Sequence, residues 1–402
     1  MISPDSASIE RWLFGFVRAD APRGEAARQA SADLLARLGD PQDRVRAVHV
    51  VGTAGKGTVA RMIAGSLRAG GATVGLHLSP HVHDVRERFT VSGELPSWDD
   101  VAAAVEEIGP HADAVPAEGR PPTFFALTTA VALVMARRAR TDWLVIEAGI
   151  GGRVDATNVF GRDDVVTVVT AVGLDHTDVL GATPGAIAKE KAAVFAGRRV
   201  AVLGPQRHDD ATMAARESAD EHGLRLVEVA ATGDWRLDAE ATASAVLGEL
   251  DPTAPAPVLV EQPGRYEVVV GGDGRRWIFD GAHNPLKLEA LAASLRTEPG
   301  PRLAIIAIGE GKDLDGCAAA IAPAIDAAVV VAFGPPAGGF GPRSHPVGAV
   351  AEALRAAGIA VVTEAPDATA AVDVATGRHE PATIVVTGSF LHLNDVRRAL
   401  LR

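Results

Sequence analysis

The chain has 402 residues, 47% of them hydrophobic and 22% charged, with a formal net charge of −12. That length predicts two or three domains with cores of their own, and the acidic balance without a long basic run argues against nucleic acid as a partner. A lone cysteine, Cys317, excludes an intramolecular disulfide framework and fits a reducing interior; with no charged-then-apolar start and no run near the roughly 18 apolar residues of a membrane span, a cytoplasmic protein with no membrane partner is expected.

Residues 9–16 and 26–38 carry helical apolar stripes, the second closed by Gly39-Asp40-Pro41. An apolar run, Val48 to Val51, then breaks into Gly52-Thr53-Ala54-Gly55-Lys56-Gly57-Thr58 before Val59, Ile63 and Leu67 recur at helical spacing. Strand, glycine-rich loop and helix form a phosphate-binding arrangement: glycines let backbone N–H groups approach a polyphosphate, Lys56 adds a point charge, and the helix presents its positive end. The strict pattern G-x-x-x-x-G-K-[ST] is not met, because Val50 replaces its first glycine and Gly57 separates Lys56 from Thr58. A glycine-rich turn without a ligand remains the alternative at this point.

The next strand, Val74 to Leu78, delivers Ser79-Pro80-His81, and a short strand spans 89–91. A helix over 98–108, a polar proline-bearing loop and a largely apolar helix over 124–138 lead to a strand at 143–146. That strand runs into a second glycine-rich turn, 147–158, and a buried strand at 165–172 delivers Gly173-Leu174-Asp175-His176-Thr177. Polar groups that follow parallel strands gather at the carboxyl edge of the sheet. A helix bearing Lys189, Glu190 and Lys191 precedes a strand at 200–203.

Between residues 210 and 263 the pattern weakens, and a domain boundary is expected there. From Tyr266 strands at 277–280, 303–308, 328–333, 360–362 and 383–386 alternate with helices at 285–295, 314–325 and 347–357, which predicts a second open parallel sheet. The fold class is therefore α/β: a P-loop-type, mostly parallel N-terminal sheet over 1–264 and a smaller Rossmann-like domain over 265–402.

Lys56, Thr58, Ser79, His81, Asp175 and His176 could surround a magnesium ion and phosphate oxygens. Lys191 reads as a solvated helix lysine on its own. Asp280-Gly281-Ala282-His283-Asn284-Pro285 places a carboxylate and an imidazole where a strand ends, although Asn284 as a helix cap before Pro285 explains part of it.

Taken together, Gly52–Thr58, Ser79–His81, Gly149–Asn158, Gly173–Thr177, Glu190–Ala192, Pro263–Arg265, Asp280–Pro285 and Thr387–Ser389 closely resemble the folylpolyglutamate synthase and dihydrofolate synthase family of the Mur ligase superfamily. The resemblance implies an ATP- and magnesium-dependent, ADP-forming ligase. In that chemistry a carboxylate is phosphorylated to an acyl phosphate and an amino acid amine, most simply that of L-glutamate, displaces phosphate. Closure of two domains would keep water out.

By resemblance, Gly52, Thr53, Gly55, Lys56, Gly57 and Thr58 hold phosphates. Ser79, His176 and Lys191 serve the metal, with Lys191 matching a lysine that is carbamylated. Arg265 and Asp280 contact nucleotide, His283 lies beside the phosphate or amino acid, Asp155 meets a pterin, and Ser389 contacts substrate. Three features depart from the pattern: Ala54 replaces an asparagine, Ala126 stands where a magnesium-binding glutamate is expected, and residues 20–30 lack the family's pterin-covering loop pattern. A ligase acting on a non-folate acid and a nucleotide-binding protein without ligase activity are the alternatives, and a monomer is expected.

Overall fold

The computed structural model describes residues 6–18, 20–118, 121–258, 262–271, 274–334, 342–377 and 382–401. Residues 1–5 and 19 of the N-terminal stretch, and 119–120 of the connection before residue 124, lie outside them. Two compact units are present: Met1–Gly173 with Thr177–Val260, and Leu174–His176 with Glu261–Arg402.

The first unit holds seven strands: β1 (Arg46–Val51), β2 (Val74–His77), β3 (Phe89–Val91), β4 (Trp143–Glu147), β5 (Val166–Val169), β6 (Val200–Leu203) and β7 (Arg225–Glu228). Their order is β3-β2-β4-β1-β5-β6-β7, and every pairing is parallel except that of β2 with β3. Strands β2, β4 and β5 are buried throughout, because helices cover both faces. Alternation along β4 divides the cores: Leu144 and Ile146 pack with Leu34, Val105 and Val131, whereas Val145 packs with Ile63, Leu67 and Val246.

One expectation is corrected here, and one stretch of weak pattern is regular. The helix expected over 98–108 runs as Trp98–Glu118, straight through Gly109-Pro110. A proline inside a helix costs about 3 kcal/mol, and the buried stripe Val101, Val105, Ile108 and Ala112 carries the helix past it. The weak stretch 210–263 is regular as well, supplying helices Asp209–His222 and Trp235–Leu250 around edge strand β7. Its proline-rich tail is tied back to the phosphate-loop helix by Ser66, whose hydroxyl donates to the Pro255 carbonyl.

The second unit is a six-stranded sheet of β8 (Glu267–Val270), β9 (Arg276–Phe279), β10 (Arg302–Ile306), β11 (Ala327–Val330), β12 (Val361–Glu364) and β13 (Thr383–Thr387). The order is β12-β11-β10-β13-β9-β8, parallel apart from β8. Strand β8 and the helices Ala368–Gly377 and Phe390–Leu400 were not anticipated. On one face Leu288, Leu291, Ile321 and Leu354 close a core over Ile278, Ile306 and Val330. Among the described residues no helix is long and apolar enough to cross a membrane.

Candidate active site

The central strand of the first unit, β1, ends at the phosphate loop. Gly52 has φ +150°, and a Cβ there would meet the Thr170 hydroxyl at 1.9 Å, so only glycine fits between the loop and β5. Thr170 in turn donates to the Ala54 carbonyl at 2.7 Å, while the Thr53 and Ala54 N–H groups donate to the Ala171 carbonyl at 2.9 and 3.1 Å. Gly55, left-handed at φ +81°, starts the helix Lys56–Ala69, which has no side-chain cap. Thr58 is buried in its first turn. Lys56 Nζ donates to the Gly52 carbonyl at 3.2 Å, and buried Lys191 Nζ donates to that same oxygen at 2.9 Å.

Glu147 ends β4 beside this loop. One of its oxygens accepts the Ser79 N–H at 2.9 Å, and the other lies 4.0 Å from Lys56 Nζ. Ala126 is buried near the start of helix Phe124–Ala139, where its N–H donates to the capping Thr123 hydroxyl. The carboxylate joined to Ser79 and Lys56 is therefore Glu147. Sequence reading placed this residue after a strand without giving it a role; an acid closing a wholly buried central strand was the available signal.

Behind Ser79, Arg88 is only 7% exposed and donates Nε to His81 Nδ1 at 2.8 Å. Burial pushes the Arg88 guanidinium down to about 10, against the opposing pull of Glu147 and Glu87.

The second glycine-rich turn packs on the helix Pro184–Ala192. A Cβ on Gly152 would meet the Lys191 carbonyl oxygen at 2.5 Å, and Glu190 accepts from Arg153 Nε at 3.0 Å and the Val154 N–H at 3.3 Å. Asp155 is buried inside the turn, accepting the N–H groups of Ile150 and Thr157 at 2.8 Å each and the Thr157 hydroxyl at 2.5 Å. Burial raises its carboxyl above the usual range, and its three donors and Lys56 oppose that. His49 Nε2 lies 2.7 Å from the same Thr157 hydroxyl.

In the second unit Asp280 follows β9 and is held by the N–H groups of Tyr266 and Ala282, each at 2.8 Å. Burial raises its carboxyl, with Arg265 opposing. Arg265 itself lies 4.3 Å over the Phe390 ring, and Ser389 caps the helix Phe390–Leu400. His283 donates Nδ1–H to the Gly281 carbonyl at 2.7 Å and accepts from Lys287 at 3.0 Å; burial, then Lys287, hold it well below the ordinary imidazole range.

His176, left-handed at φ +51°, belongs to this unit together with Asp175. Asp175 accepts from Lys312 at 2.6 Å and from the Asn284 amide at 2.8 Å, with Lys287 at 3.7 Å and His283 at 3.9 Å. Burial alone would raise the Asp175 carboxyl; Lys287 and Lys312, then His176 and His283, outweigh it and hold it far below the usual range. Lys287 and Lys312 escaped sequence reading, since a lysine on a helix and one in a glycine turn look solvated until the fold sets them on Asp175. Cys317 is buried beside the His283 carbonyl, its thiol pushed up to about 12 by burial.

The expected residues thus fall into two sets. Gly52, Thr53, Gly55, Lys56, Gly57, Thr58, Ser79, Asp155 and Lys191 lie in the first unit, and His176, Arg265, Asp280, His283 and Ser389 in the second. Among the described residues no three His, Cys, Asp or Glu side chains form a metal cluster. Glu147, Ser79 and Thr58 offer hard oxygen donors, and magnesium commonly takes only one or two protein carboxylates, so this donor set fits that ion.

A glycine-rich loop at the end of the central strand of a mostly parallel sheet, joined to a second α/β unit, defines the two-unit architecture of the Mur ligase superfamily. Residues 264–390 match the Mur ligase, glutamate ligase domain. The dihydrofolate synthase/folylpolyglutamate synthase of Mycobacterium tuberculosis is 30% identical over 435 residues, covering 90% of this chain and 88% of that protein. This chain therefore belongs to the folylpolyglutamate synthase/dihydrofolate synthase family.

A probable bifunctional folylpolyglutamate synthase/dihydropteroate synthase of Halobacterium salinarum is 36% identical over 340 residues, covering 74% of this chain; the chain spans only 41% of that relative's length. Among solved structures, the folylpolyglutamate synthase of M. tuberculosis complexed with ADP and AMPPCP superposes with a TM-score of 0.84 at 26% identity, over 99% of this chain and 98% of that one. A bifunctional folylpolyglutamate synthase/dihydrofolate synthase with Mn, AMPPNP and L-glutamate bound gives 0.83 at 26% identity, over 98% of each chain.

Proposed function

We propose that this chain is an ATP-dependent, ADP-forming ligase that joins L-glutamate to dihydropteroate or a folate. The observation that carries the reading is the convergence of Lys56 and Lys191 on the Gly52 carbonyl beside Glu147 and Ser79. Two ammonium groups and a carboxylate at a glycine-rich loop suit a polyphosphate and its divalent ion. ADP, AMPPNP, Mn and L-glutamate in the relatives' structures support the same chemistry.

In this reading Gly52, Thr53, Gly55, Lys56, Gly57 and Thr58 bind the phosphates, and Lys56 neutralises charge as the γ-phosphoryl group meets the acid. Ser79 and Glu147 would hold magnesium; carbamylation would exchange the Lys191 ammonium, which donates to Gly52 in this structure, for a carbamate able to serve the ion, and His176 is a metal ligand by family resemblance; the ion, when bound, offsets phosphate charge. Arg265 and Asp280 receive the nucleotide. His283, neutral and fixed through Nδ1, would serve the transferring phosphate or the amine, and Asp155 and Ser389 would position the substrates. The chain divides functionally at 264/265. ATP as cosubstrate sets the reaction in the cytoplasm.

The test follows ADP release and product mass with ATP, magnesium and L-glutamate, first with dihydropteroate and then with reduced folates. Acid-dependent ADP formation with product heavier by one glutamate is expected. Turnover only with a non-folate acid, or nucleotide binding with no turnover across a broad panel of acids, overturns the reading.

A further inference from the structure

His81 follows β2 on the same sheet edge as Ser79, and Arg88 holds it in one state. The guanidinium can only donate, so the Arg88 Nε contact at 2.8 Å makes His81 Nδ1 an acceptor and leaves the ring proton on Nε2. Arg88 is itself pinned: its carbonyl accepts the Leu78 N–H at 3.2 Å and His77 Nδ1–H at 2.9 Å, and its guanidinium lies 5.1 Å over the Phe124 ring. Phe14, 41% exposed, stacks on Phe124 at 5.2 Å and meets the His81 ring edge-on at 6.1 Å. The imidazole is thus fixed in tautomer by Arg88 and met by the Phe14 ring, on an edge that also carries the glycine-rich loop.

We propose that His81 is a preset hydrogen-bond donor, through Nε2–H, to an acceptor oxygen of the acid substrate, and that Arg88 is the positioning residue that sets this polarity. The proposal rests on the ligase reading above. A ring free to exchange tautomers would present an acceptor at Nε2 for part of the time and repel the same oxygen. The Arg88 contact removes that state before the substrate arrives, which is the gain expected of a preorganised donor.

Long-range proton–nitrogen NMR of the full chain, with the His81 signals assigned by their loss in His81→Gln, should give a protonated Nε2 and a bare Nδ1; Arg88→Met should give mixed tautomers. A protonated Nδ1 in the unaltered chain overturns the proposal. In kinetics His81→Phe should raise KM for the acid about tenfold, the worth of one good hydrogen bond, with KM for ATP unchanged. His81→Gln, which can return an N–H near the same place, should recover most of that loss. Equal KM values for the acid in His81→Phe and His81→Gln overturn the donor role while the ligase reading stands. Absence of folate-dependent turnover in the unaltered chain instead overturns the ligase reading, and the tautomer measurement still decides the Arg88 device.

Discussion

Lys56 and Lys191 reach from different helices to a single oxygen, the Gly52 carbonyl, at 3.2 and 2.9 Å. Two cations share one neutral acceptor because the glycine turns its backbone outward where any side chain would strike Thr170. The loop's conformation and its charge are therefore one feature.

Gly52→Ala should unfold at lower urea, losing roughly 2–4 kcal/mol from backbone strain and the forced displacement of Thr170. Gly55→Ala meets no atom within 4 Å and bears only the left-handed strain at φ +81°, so it should lose about 1 kcal/mol. Equal losses in the two variants would refute the close-approach account.

Glu147→Gln keeps the shape of the side chain and its acceptor for the Ser79 N–H but removes its charge. The magnesium concentration for half-maximal turnover should rise about tenfold or more, as expected when a metal site loses a carboxylate's support. Titrating activity against magnesium in both proteins checks this, and an unchanged requirement would place the ion elsewhere.

His77 is buried in β2, its imidazole held at about 3 by desolvation against an ordinary value of 6.5. The unfolded chain binds this proton below pH 6.5 and the folded chain does not, so stability falls as pH falls from 6.5 toward 3. The slope is about 1.4 kcal/mol per pH unit for one such group. Urea midpoints measured between pH 6.5 and 5 should show His77→Phe losing that share of the acid sensitivity.

Asn284 caps the helix Pro285–Leu295 through its oxygen and donates its amide to Asp175. Asparagine and aspartate are nearly equal as caps, so capping alone predicts little change in Asn284→Asp. The second contact predicts otherwise, since it sets two carboxylates together, and thermal unfolding should show a loss of about 1–3 kcal/mol.

The phosphate loop and the strand ends were legible because an apolar run that breaks into glycines has few other physical explanations. The second sheet was legible from apolar strands buried on both faces. Strand β7 was not, since its residues are exposed or half-buried at an edge and leave no apolar run. For helix Trp98–Glu118 the sequence predicts an end at residue 108, because Pro110 signals a stop, and only the burial of Ala112 shows why the helix continues. The Asp175 cluster was half legible: Asp175, His176 and His283 stood in motifs, but Lys312 meets Asp175 only through the folded chain.

Consecutive residues of one short helix face different tasks: Glu190 grips the turn at Arg153 and Val154, and Lys191 reaches the phosphate loop. Neither loop is a portable cassette. Transplanting one into another scaffold without the helix Pro184–Ala192 would bring the glycines and leave their anchorage behind, and a one-residue insertion in that helix should disable both loops together.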